Sequence, residues 1–373
     1  MFQFYSRTIG NAAMSTHFHK IRVKEVRKET NDTVSVALDI PSDLSQTFQF
    51  TEGQYLTFRI FQGGEEIRRS YSICSCPLDH EWRVAIKKVR DGKFSSFAND
   101  ALKAGDTLEV MPPMGKFHTP LDASMQRSYV MFAAGSGITP ILSLIKTILR
   151  TETLSHLTLF YSNKSTGSII FKEELEGLKN KFLGRLSLHY LLSREKMDSE
   201  LFQGRLDKDK CQSLIHTIPQ ILNADEYFLC GPLEMIESVK ETLLGSGIEK
   251  KKIHFELFTI PGMEKIIAAD ADSEKVSSGP FGHVEVKADG VTISFDLQYD
   301  GQNILDAAIA QGADLPYACK GGVCSTCKAK LTEGIVEMNR NYALEEDEVE
   351  DGFILTCQSH PRSGKLVVDF DQS

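Results

Sequence analysis

The sequence lacks an apolar run that could cross a membrane without interruption. The longest weakly charged run, residues 129–149, approaches that length, but glycines, Pro140 and Lys146 interrupt it, which favours a buried strand followed by a helix. The segment before Met14 carries a single charge, at Arg7, and no apolar stretch of signal-peptide length. We therefore expect a cytoplasmic protein with no membrane partner.

An excess of positive charge is also lacking. The formal net charge is −9, and residues 281–373 hold all of the acidic excess because acids and bases balance over residues 1–280. This argues against nucleic acid as a partner, since its phosphates would repel such a module. The acidic module suits a partner with a basic surface, although a solvated acidic face that only aids solubility explains it equally well.

The chain shows no internal repeat and no low-complexity tract. At 373 residues it is too long for one hydrophobic core, since a domain takes ~100 to 200 residues. Its eight cysteines, in a chain of this size without a secretory signal, are expected to be reduced, metal-bound or buried rather than paired as disulfides.

Three successive patterns divide the chain. Short alternating runs between turn residues, up to Phe117, are typical of a small antiparallel β-barrel. From Ser128 buried strands alternate with helical stretches, which predicts a parallel sheet covered on both faces. From Gly282 paired strands, a helix, a cysteine loop and a final strand follow. The predicted regions are an N-terminal extension 1–17, a β-barrel 18–122, an α/β domain 123–261, a linker 262–280 and a C-terminal domain 281–373.

The cysteine loop has a specific spacing. Cys319, Cys324 and Cys327 are separated by four and then two residues, and Cys357 follows after 29 more. This is the plant-type ferredoxin arrangement for a 2Fe-2S cluster, and glycines in the loop let backbone amides approach the sulfurs. Structural zinc, the alternative, prefers two close cysteine pairs. Three other thiols are expected to be buried or idle: Cys74, Cys76 and Cys211.

Two motifs in the barrel region suit a cofactor with phosphates and a flat ring. Arg69, Tyr71 and Ser72 offer a cation, an aromatic face and a small hydroxyl. Each motif is weak alone, because the arginine would serve equally as a surface cation and the tyrosine as a core aromatic. A second group opens a predicted helix, whose free amides favour phosphate: Gly92, Ser95 and Ser96.

Two turns in the α/β region suit a nucleotide. Cys230, Gly231 and Pro232 end a buried strand, where ligands of open parallel sheets gather. A glycine-rich turn follows another buried strand and opens a helix, so that bare backbone faces a phosphate. A plain tight turn is the alternative in both places. The glycine-rich turn consists of Gly135, Ser136, Gly137, Ile138, Thr139 and Pro140.

Taken together and in this order, these motifs resemble the ferredoxin-NADP reductase superfamily with a fused C-terminal plant-type 2Fe-2S ferredoxin domain. The resemblance covers nearly all of residues 18–373. It implies an FAD-binding antiparallel β-barrel, an NAD(P)-binding α/β domain and an α+β domain of the β-grasp type. Besides the motifs above and the four cysteines, it rests on Pro113, Gly115, Phe117, Ser193, Arg194, Glu195, Phe255, Glu256 and Phe258.

The resemblance also implies roles. Arg69 would hold the FAD pyrophosphate, Tyr71 would stack on the isoalloxazine ring, and Ser72 would lie near flavin N5. The group at Gly92, Ser95 and Ser96 would bind FAD phosphate. One departure is Asp91, where relatives often have a second glycine, which leaves the shape of that loop open.

In the nucleotide domain the same resemblance assigns the glycine-rich turn, through Gly135, Gly137, Thr139 and Pro140, to the pyrophosphate of the nicotinamide nucleotide. Cys230, with Gly231 and Pro232, would lie by the nicotinamide, and Glu256 would be the acidic residue near the reactive rings. The implied catalytic residues are therefore Ser72, Cys230 and Glu256.

The resemblance implies that Cys319, Cys324, Cys327 and Cys357 hold the cluster. Electrons would pass to an oxygenase partner, with phenylacetyl-CoA epoxidase as the first expectation. Another hydroxylase or a desaturase would use the same chemistry. A non-catalytic redox-sensing protein on this scaffold is a different class of hypothesis, and the complete cysteine set argues against it.

Two charged features bear on the choice of nucleotide and on the docking of a partner. No carboxylate after the strand at 157–161 is placed to accept a ribose 2′-hydroxyl, whereas Lys164 and Arg194 suit a 2′-phosphate. NADPH is therefore expected over NADH, unless Lys164 is only a surface charge. The acidic run 345–351 predicts the start of a helix, and electrostatic docking of the oxygenase is its alternative explanation.

Overall fold

The computed structural model describes residues 17–259 and 279–372. The predicted extension 1–17 and linker 262–280 therefore lie almost wholly outside the described residues. Within them the chain forms three main sheets and a two-stranded ladder. No helix in these ranges is both long and apolar enough to cross a bilayer.

The first region is an antiparallel barrel, as the alternating pattern predicted. Its strands are β1 (His19–Thr30), β2 (Thr33–Asp39), β3 (Tyr55–Gln62), β4 (Glu65–Ser72), β5 (Trp82–Lys87) and β6 (Thr107–Val110), and α1 is Lys93–Asp100. The strand order is β4-β3-β6-β1-β2-β5. An isolated bridge between Ile73 and Val84 links the two ends of the sheet, so its apolar faces enclose one core.

The second region is a parallel five-stranded sheet. Its strands are β7 (Ser128–Ala134), β8 (His156–Asn163), β9 (Leu186–Leu192), β10 (Glu226–Pro232) and β11 (Ile253–Thr259), and its helices are α2 (Ile138–Thr151), α3 (Lys172–Lys181), α4 (Lys208–Thr217) and α5 (Leu233–Gly245). The strand order is β11-β10-β7-β8-β9. Helices α2 and α3 cover one face and α4 and α5 the other. The strand order reverses between β7 and β10, because the chain runs from β7 to β8 and β9 and then crosses over to β10, and such a switch point is where these sheets bind ligands.

The third region is an α+β module. It contains β12 (Phe281–Ala288), β13 (Val291–Gln298), β14 (Lys328–Glu333), β15 (Val336–Met338), β16 (Phe353–Leu355), β17 (Ser359–Pro361) and β18 (Lys365–Asp369), with helices α6 (Ile304–Ala310) and α7 (Glu346–Glu350). Strands β12 and β18 pair in parallel, and their other neighbours are antiparallel. The predicted domain boundary at residues 122 and 123, between β6 and β7, stays a prediction.

The C-terminal module packs against both other regions. Arg68 of the barrel donates to the Leu315 carbonyl at 3.1 Å, and its guanidinium lies 3.9 Å from the centre of the Tyr317 ring. Val323 and Tyr342 pack on the core of the parallel sheet. These contacts bring the cysteine loop to the front of the other two regions.

Candidate functional site

A cavity of about 1860 Å³ lies where the three regions meet. Its wall brings together residues that are widely separated along the chain. Of the residues predicted from the motifs, the wall contains Arg69, Tyr71, Ser72, Gly92, Ser95, Gly135, Gly137, Thr139, Lys164, Gly231, Pro232, Glu256, Cys319 and Cys324. The other predicted residues lie behind or beside the wall: Ser96, Pro140, Arg194, Cys230, Cys327 and Cys357.

Strand β4 supplies one end of the cavity. Arg69 and Tyr71 lie two residues apart and so share a face of the strand. Arg69 is exposed, whereas Tyr71 is half-buried and its ring lies 5.5 Å from that of Phe94 in the barrel core. Tyr71 is thus both a core aromatic and part of the cavity wall.

The start of α1 borders the same end. Gly92 is the N-cap, and a Cβ at this position would lie 2.4 Å from both the Ser95 hydroxyl and a Val89 methyl, so a larger residue would have to displace these side chains. Ser95 accepts from the Val89 amide and donates to the Gly92 carbonyl, each at 3.2 Å. Asp91 has a φ of 60°, the left-handed conformation that glycine favours and that aspartate tolerates. The loop therefore forms without a second glycine.

The two turns of the nucleotide domain face each other at the switch point between β7 and β10. A Cβ on Gly137 would lie 2.1 Å from the Cys230 carbonyl oxygen, and one on Gly231 would lie 3.1 Å from the Ala134 Cβ. Gly135 has a φ of 54°. Only bare backbone lets the turns approach this closely, and the resulting gap opens into the cavity.

The three residues predicted to be catalytic converge. The Ser72 hydroxyl donates to Glu256 Oε2 at 3.0 Å, and Cys230 is the register partner of Glu256 on the neighbouring strand. Burial raises the pKa of Glu256 to about 8, against the smaller effect of the Ser72 hydrogen bond. Burial also raises the pKa of the Cys230 thiol. At neutral pH, therefore, both the carboxyl and the thiol are mainly protonated.

Cations gather at the nucleotide end. Lys164 is exposed and lines the cavity. The Arg194 amide donates to the Lys164 carbonyl at 2.8 Å, so the loops after β8 and β9 touch although Arg194 itself lies off the wall. Sequence reasoning missed several further cations of the wall, which belong to no motif; Arg205, Lys250 and Lys251 are among them.

The cysteine loop carries hydrogen-bond donors aimed at its sulfurs. The Gly321 amide donates to Cys319 Sγ at 3.3 Å, and the Thr326 hydroxyl donates to Cys324 Sγ at 3.2 Å. The loop bends through left-handed residues, each with φ between 46° and 76°. Such a loop favours thiolates because its donors compensate their negative charge. The left-handed residues are Lys320, Gly322 and Ser325.

The four thiols form two pairs. Cys319 hydrogen-bonds Cys324, and Cys327 hydrogen-bonds Cys357. The hydrogen bond from Cys324, with backbone amides, lowers the pKa of Cys319 to about 6. Across residues 17–259 and 279–372, no three His, Cys, Asp or Glu side chains surround a position suited to a single metal ion. The donors to the sulfurs, together with the four-then-two spacing of the cysteines, fit a 2Fe-2S cluster.

The acidic run does form a helix, α7, as predicted, and its side chains contact the other regions. Glu348 pairs with Lys116 of the barrel region and with Lys328, and Glu346 pairs with Lys250 at 2.5 Å. Two of the carboxylates considered for oxygenase docking are thus engaged within the chain. The docking explanation stays a prediction for the rest of the run.

Domain families match all three regions. Residues 20–119 match the oxidoreductase FAD-binding domain, residues 131–241 the oxidoreductase NAD-binding domain and residues 286–362 the 2Fe-2S iron-sulfur cluster binding domain. The order is the one expected from the motifs.

Two relatives match nearly the whole chain. One of the subunits of 1,2-phenylacetyl-CoA epoxidase from Escherichia coli is 42% identical over 95% of this chain and 98% of its own length. The ferredoxin reductase component of 3-ketosteroid-9-alpha-monooxygenase from Rhodococcus rhodochrous is 33% identical over 94% of this chain and 96% of its own length.

Among solved structures, phthalate dioxygenase reductase has the same fold over the whole chain. It covers 94% of this chain and 98% of its own, with a TM-score of 0.54 and 23% identity. An intact self-sufficient cytochrome P450 monooxygenase has a TM-score of 0.67 and 20% identity over 94% of this chain, which spans 41% of that larger protein.

Proposed function

Because the chain belongs to the family of oxygenase reductases that join FAD-binding, NAD-binding and 2Fe-2S domains, we propose that it supplies electrons from NADPH to a phenylacetyl-CoA epoxidase. It is an NAD(P)H-dependent flavin and iron-sulfur reductase. The observation that supports the proposal most directly is the single cavity lined by flavin, nucleotide and cysteine motifs. FAD, when bound, accepts the two electrons of a hydride and releases them singly to a one-electron cluster.

The wall of the cavity fits FAD. The first turn of α1 and the exposed Arg69 offer amides and a cation to phosphate, while Tyr71 offers an aromatic face. We assign Ser72 to the neighbourhood of flavin N5, where its hydroxyl orients Glu256. The neutral Glu256 acid adds no negative charge beside the ring that receives the hydride.

We propose that Cys319, Cys324, Cys327 and Cys357 would hold the cluster. The donors to Cys319, Cys324 and Cys357 Sγ, the last from Gln358 at 3.6 Å, hold the sulfurs in place and offset their charge. Cys327 and Cys357 are buried, which excludes water from that half of the site. Cys319 and Cys324 face the cavity, towards the flavin end.

Anaerobic titration with NADPH tests the electron path. Both the flavin and the cluster absorption bands should bleach, and the purified chain should contain iron and acid-labile sulfide. Bleaching of the flavin alone in a cluster-loaded chain would refute the path from flavin to cluster.

We propose NADPH over NADH because Lys164 lies on the cavity wall and no carboxylate follows β8 at residues 164–166. Lys164→Ala should raise the KM for NADPH about tenfold or more, since a charge-assisted hydrogen bond contributes about 1.5–3 kcal/mol, and should leave the KM for NADH unchanged. Lys196→Ala, which removes an exposed lysine outside the wall, is the matched control. Equal catalytic efficiency of the unmodified chain with both nucleotides would contradict this assignment.

The epoxidase is proposed as the client because the Escherichia coli relative is one of its subunits. The purified chain, NADPH and the oxygenase components of the epoxidase should together convert phenylacetyl-CoA to its epoxide. A chain whose flavin and cluster both become reduced, but which gives no product there and supports another hydroxylase, would refute the client and leave the reductase chemistry intact. We also propose a cytoplasmic location, where the four cysteines outside the proposed cluster site would stay reduced.

A further inference from the structure

Tyr55 connects the barrel to the cysteine loop. It begins β3, lies opposite Ser72 of β4 in the register, and is 5% exposed. Reciprocal backbone hydrogen bonds with Met114, at 2.8 and 3.0 Å, fix its main chain. Gly115 leaves room for the ring, since a Cβ there would lie 3.1 Å from it. The ring therefore has a fixed position between the flavin end of the cavity and the C-terminal module.

The Tyr55 hydroxyl reaches two groups of the loop. It donates to the Cys324 carbonyl and lies 3.0 Å from the Thr326 hydroxyl. The Thr326 hydroxyl has one proton and three acceptors within reach: the Tyr55 oxygen at 3.0 Å, Cys324 Sγ at 3.2 Å and the Cys324 carbonyl at 3.3 Å. The Tyr55 proton engages the carbonyl, and a phenol oxygen accepts more weakly than a charged cluster thiolate, so the Thr326 proton goes to the sulfur.

We propose that Tyr55 is a positioning residue that couples docking of the C-terminal module to the reduction potential of its cluster. The inference rests on the proposed function, because it takes Cys324 as a cluster ligand. Tyr55 acts through Thr326 and is itself neither oxidised nor deprotonated. The electron that reaches the cluster comes from NADPH through FAD.

The direction of the effect follows from charge. Reduction adds a negative charge to the cluster, and a hydrogen bond to a ligating sulfur stabilises that charge and raises the potential. While the module is docked, Tyr55 directs the Thr326 proton to Cys324 Sγ, which favours reception of an electron from the flavin. A module separated from the barrel would lose that influence, and its cluster would be a stronger reductant.

The test is an EPR-monitored redox titration of full-length, cluster-loaded chains. Tyr55→Phe should lower the equilibrium constant for reduction of the cluster by about threefold to tenfold, as for loss of one hydrogen bond. A tenfold change corresponds to about 59 mV for a one-electron couple. Thr326→Val should lower the potential at least as far, and the double variant no further than Thr326→Val, because both changes remove the same bond to sulfur.

Tyr227→Phe is the matched control. This buried tyrosine also donates to a backbone carbonyl, that of Ile221 at 2.7 Å, but it lies within the parallel sheet. Its removal should leave the potential unchanged at a similar cost in stability. If the cluster of Tyr55→Phe has the same reduction potential as the cluster of Tyr227→Phe, the proposal is overturned. If Tyr55→Phe loses its cluster, an unchanged potential in Thr326→Val overturns it instead. Absence of iron from the unmodified chain would instead refute the proposed function.

Discussion

At the scale of single residues, Glu256 is the carboxyl that most clearly departs from ordinary behaviour. It lies on β11, accepts from Ser72 at 3.0 Å, and has a pKa raised by burial to about 8. It is therefore protonated at pH 7 and ionises as the pH rises through about 8. A carboxylate formed there would oppose the negative charge that a hydride brings to the flavin.

We therefore expect the rate of flavin reduction by NADPH to fall as the pH rises through about 8. Glu256→Gln, which stays neutral, should remove that fall and retain a flat profile. Stopped-flow measurements from pH 6 to about 10 check this. Glu234→Gln, which removes an exposed carboxylate from the same wall, should retain the fall. An unaltered fall in Glu256→Gln would assign the titration to another group.

Residues with a motif were predictable and residues without one were not. The cysteine spacing and the Arg69 to Ser72 motif carry chemistry in their local order, so the sequence sufficed to propose them as site residues, and the structure brings Arg69, Ser72 and two of the cysteines to one cavity wall. Tyr55 and Arg68 contact the C-terminal module from β3 and β4, but nothing in their neighbourhood distinguishes them from other strand residues. Their roles depend on a contact between segments about 250 residues apart, which local patterns do not encode.

At the scale of elements, the turn between β7 and α2 depends on close backbone approach. Gly137→Ala would place a methyl 2.1 Å from the Cys230 carbonyl oxygen, so the two turns must separate. We expect a loss of about 1–3 kcal/mol in the free energy of unfolding and a higher KM for NADPH, with FAD retained. Gly167→Ala, where a methyl meets nothing within 4 Å, is the control. Unchanged thermal unfolding and KM in Gly137→Ala would show that the turns tolerate the separation.

Helix α7 helps to hold the C-terminal module against the other two regions. The Glu348 side chain is 12% exposed and pairs with Lys116 and Lys328. Burial alone would raise the pKa of this carboxyl, but the hydrogen bond and the positive charge of Lys116 lower it below its usual value. Because Lys116 is itself exposed, we expect the pair to contribute only about 1 kcal/mol to docking. This contribution should weaken as salt screens the charges.

Glu348→Gln should therefore slow reduction of the cluster by the flavin at low salt and make that rate less dependent on salt. Stopped-flow absorbance of the cluster band measures both. Glu350→Gln, an exposed change on the same helix, should behave as the unmodified chain. If Glu348→Gln alters only electron delivery to the oxygenase, the acidic run 345–351 serves to dock the oxygenase instead.

Long elements were predictable and short ones were not. Strand β8 was predicted at 157–161, which the structure extends by only a few residues, and helix α2 follows the glycine-rich turn as expected. Strands β15, β16 and β17 have three residues each, too few for an alternation to stand out. They form because the cysteine loop and the sheet bring their partners into register.

At the scale of the molecule, the three regions contribute different parts of one cavity. The barrel and the parallel sheet share the cavity wall, and the C-terminal module contributes to it through its cysteine loop, α7 and other residues such as Tyr342, Phe353 and Gln372. The order of the three regions was predictable because each has its own pattern. Their mutual placement was not, since it rests on a few pairs such as Arg68 with Tyr317.

This division predicts that reduction of the flavin by NADPH persists when the cluster, and with it electron delivery to the oxygenase, is lost. Cys357→Ser should abolish the cluster and all support of the oxygenase, while FAD binding and NADPH oxidation with an artificial acceptor that takes electrons from the flavin persist. Cys211→Ser, in which a buried thiol of α4 with a pKa raised by burial to about 12 is replaced, should retain iron and oxygenase support. Iron content, flavin absorbance and the two activities, measured on the same preparations, separate these outcomes. Full iron content in Cys357→Ser would remove Cys357 from the ligand set, and loss of flavin there would show that the module also stabilises the barrel.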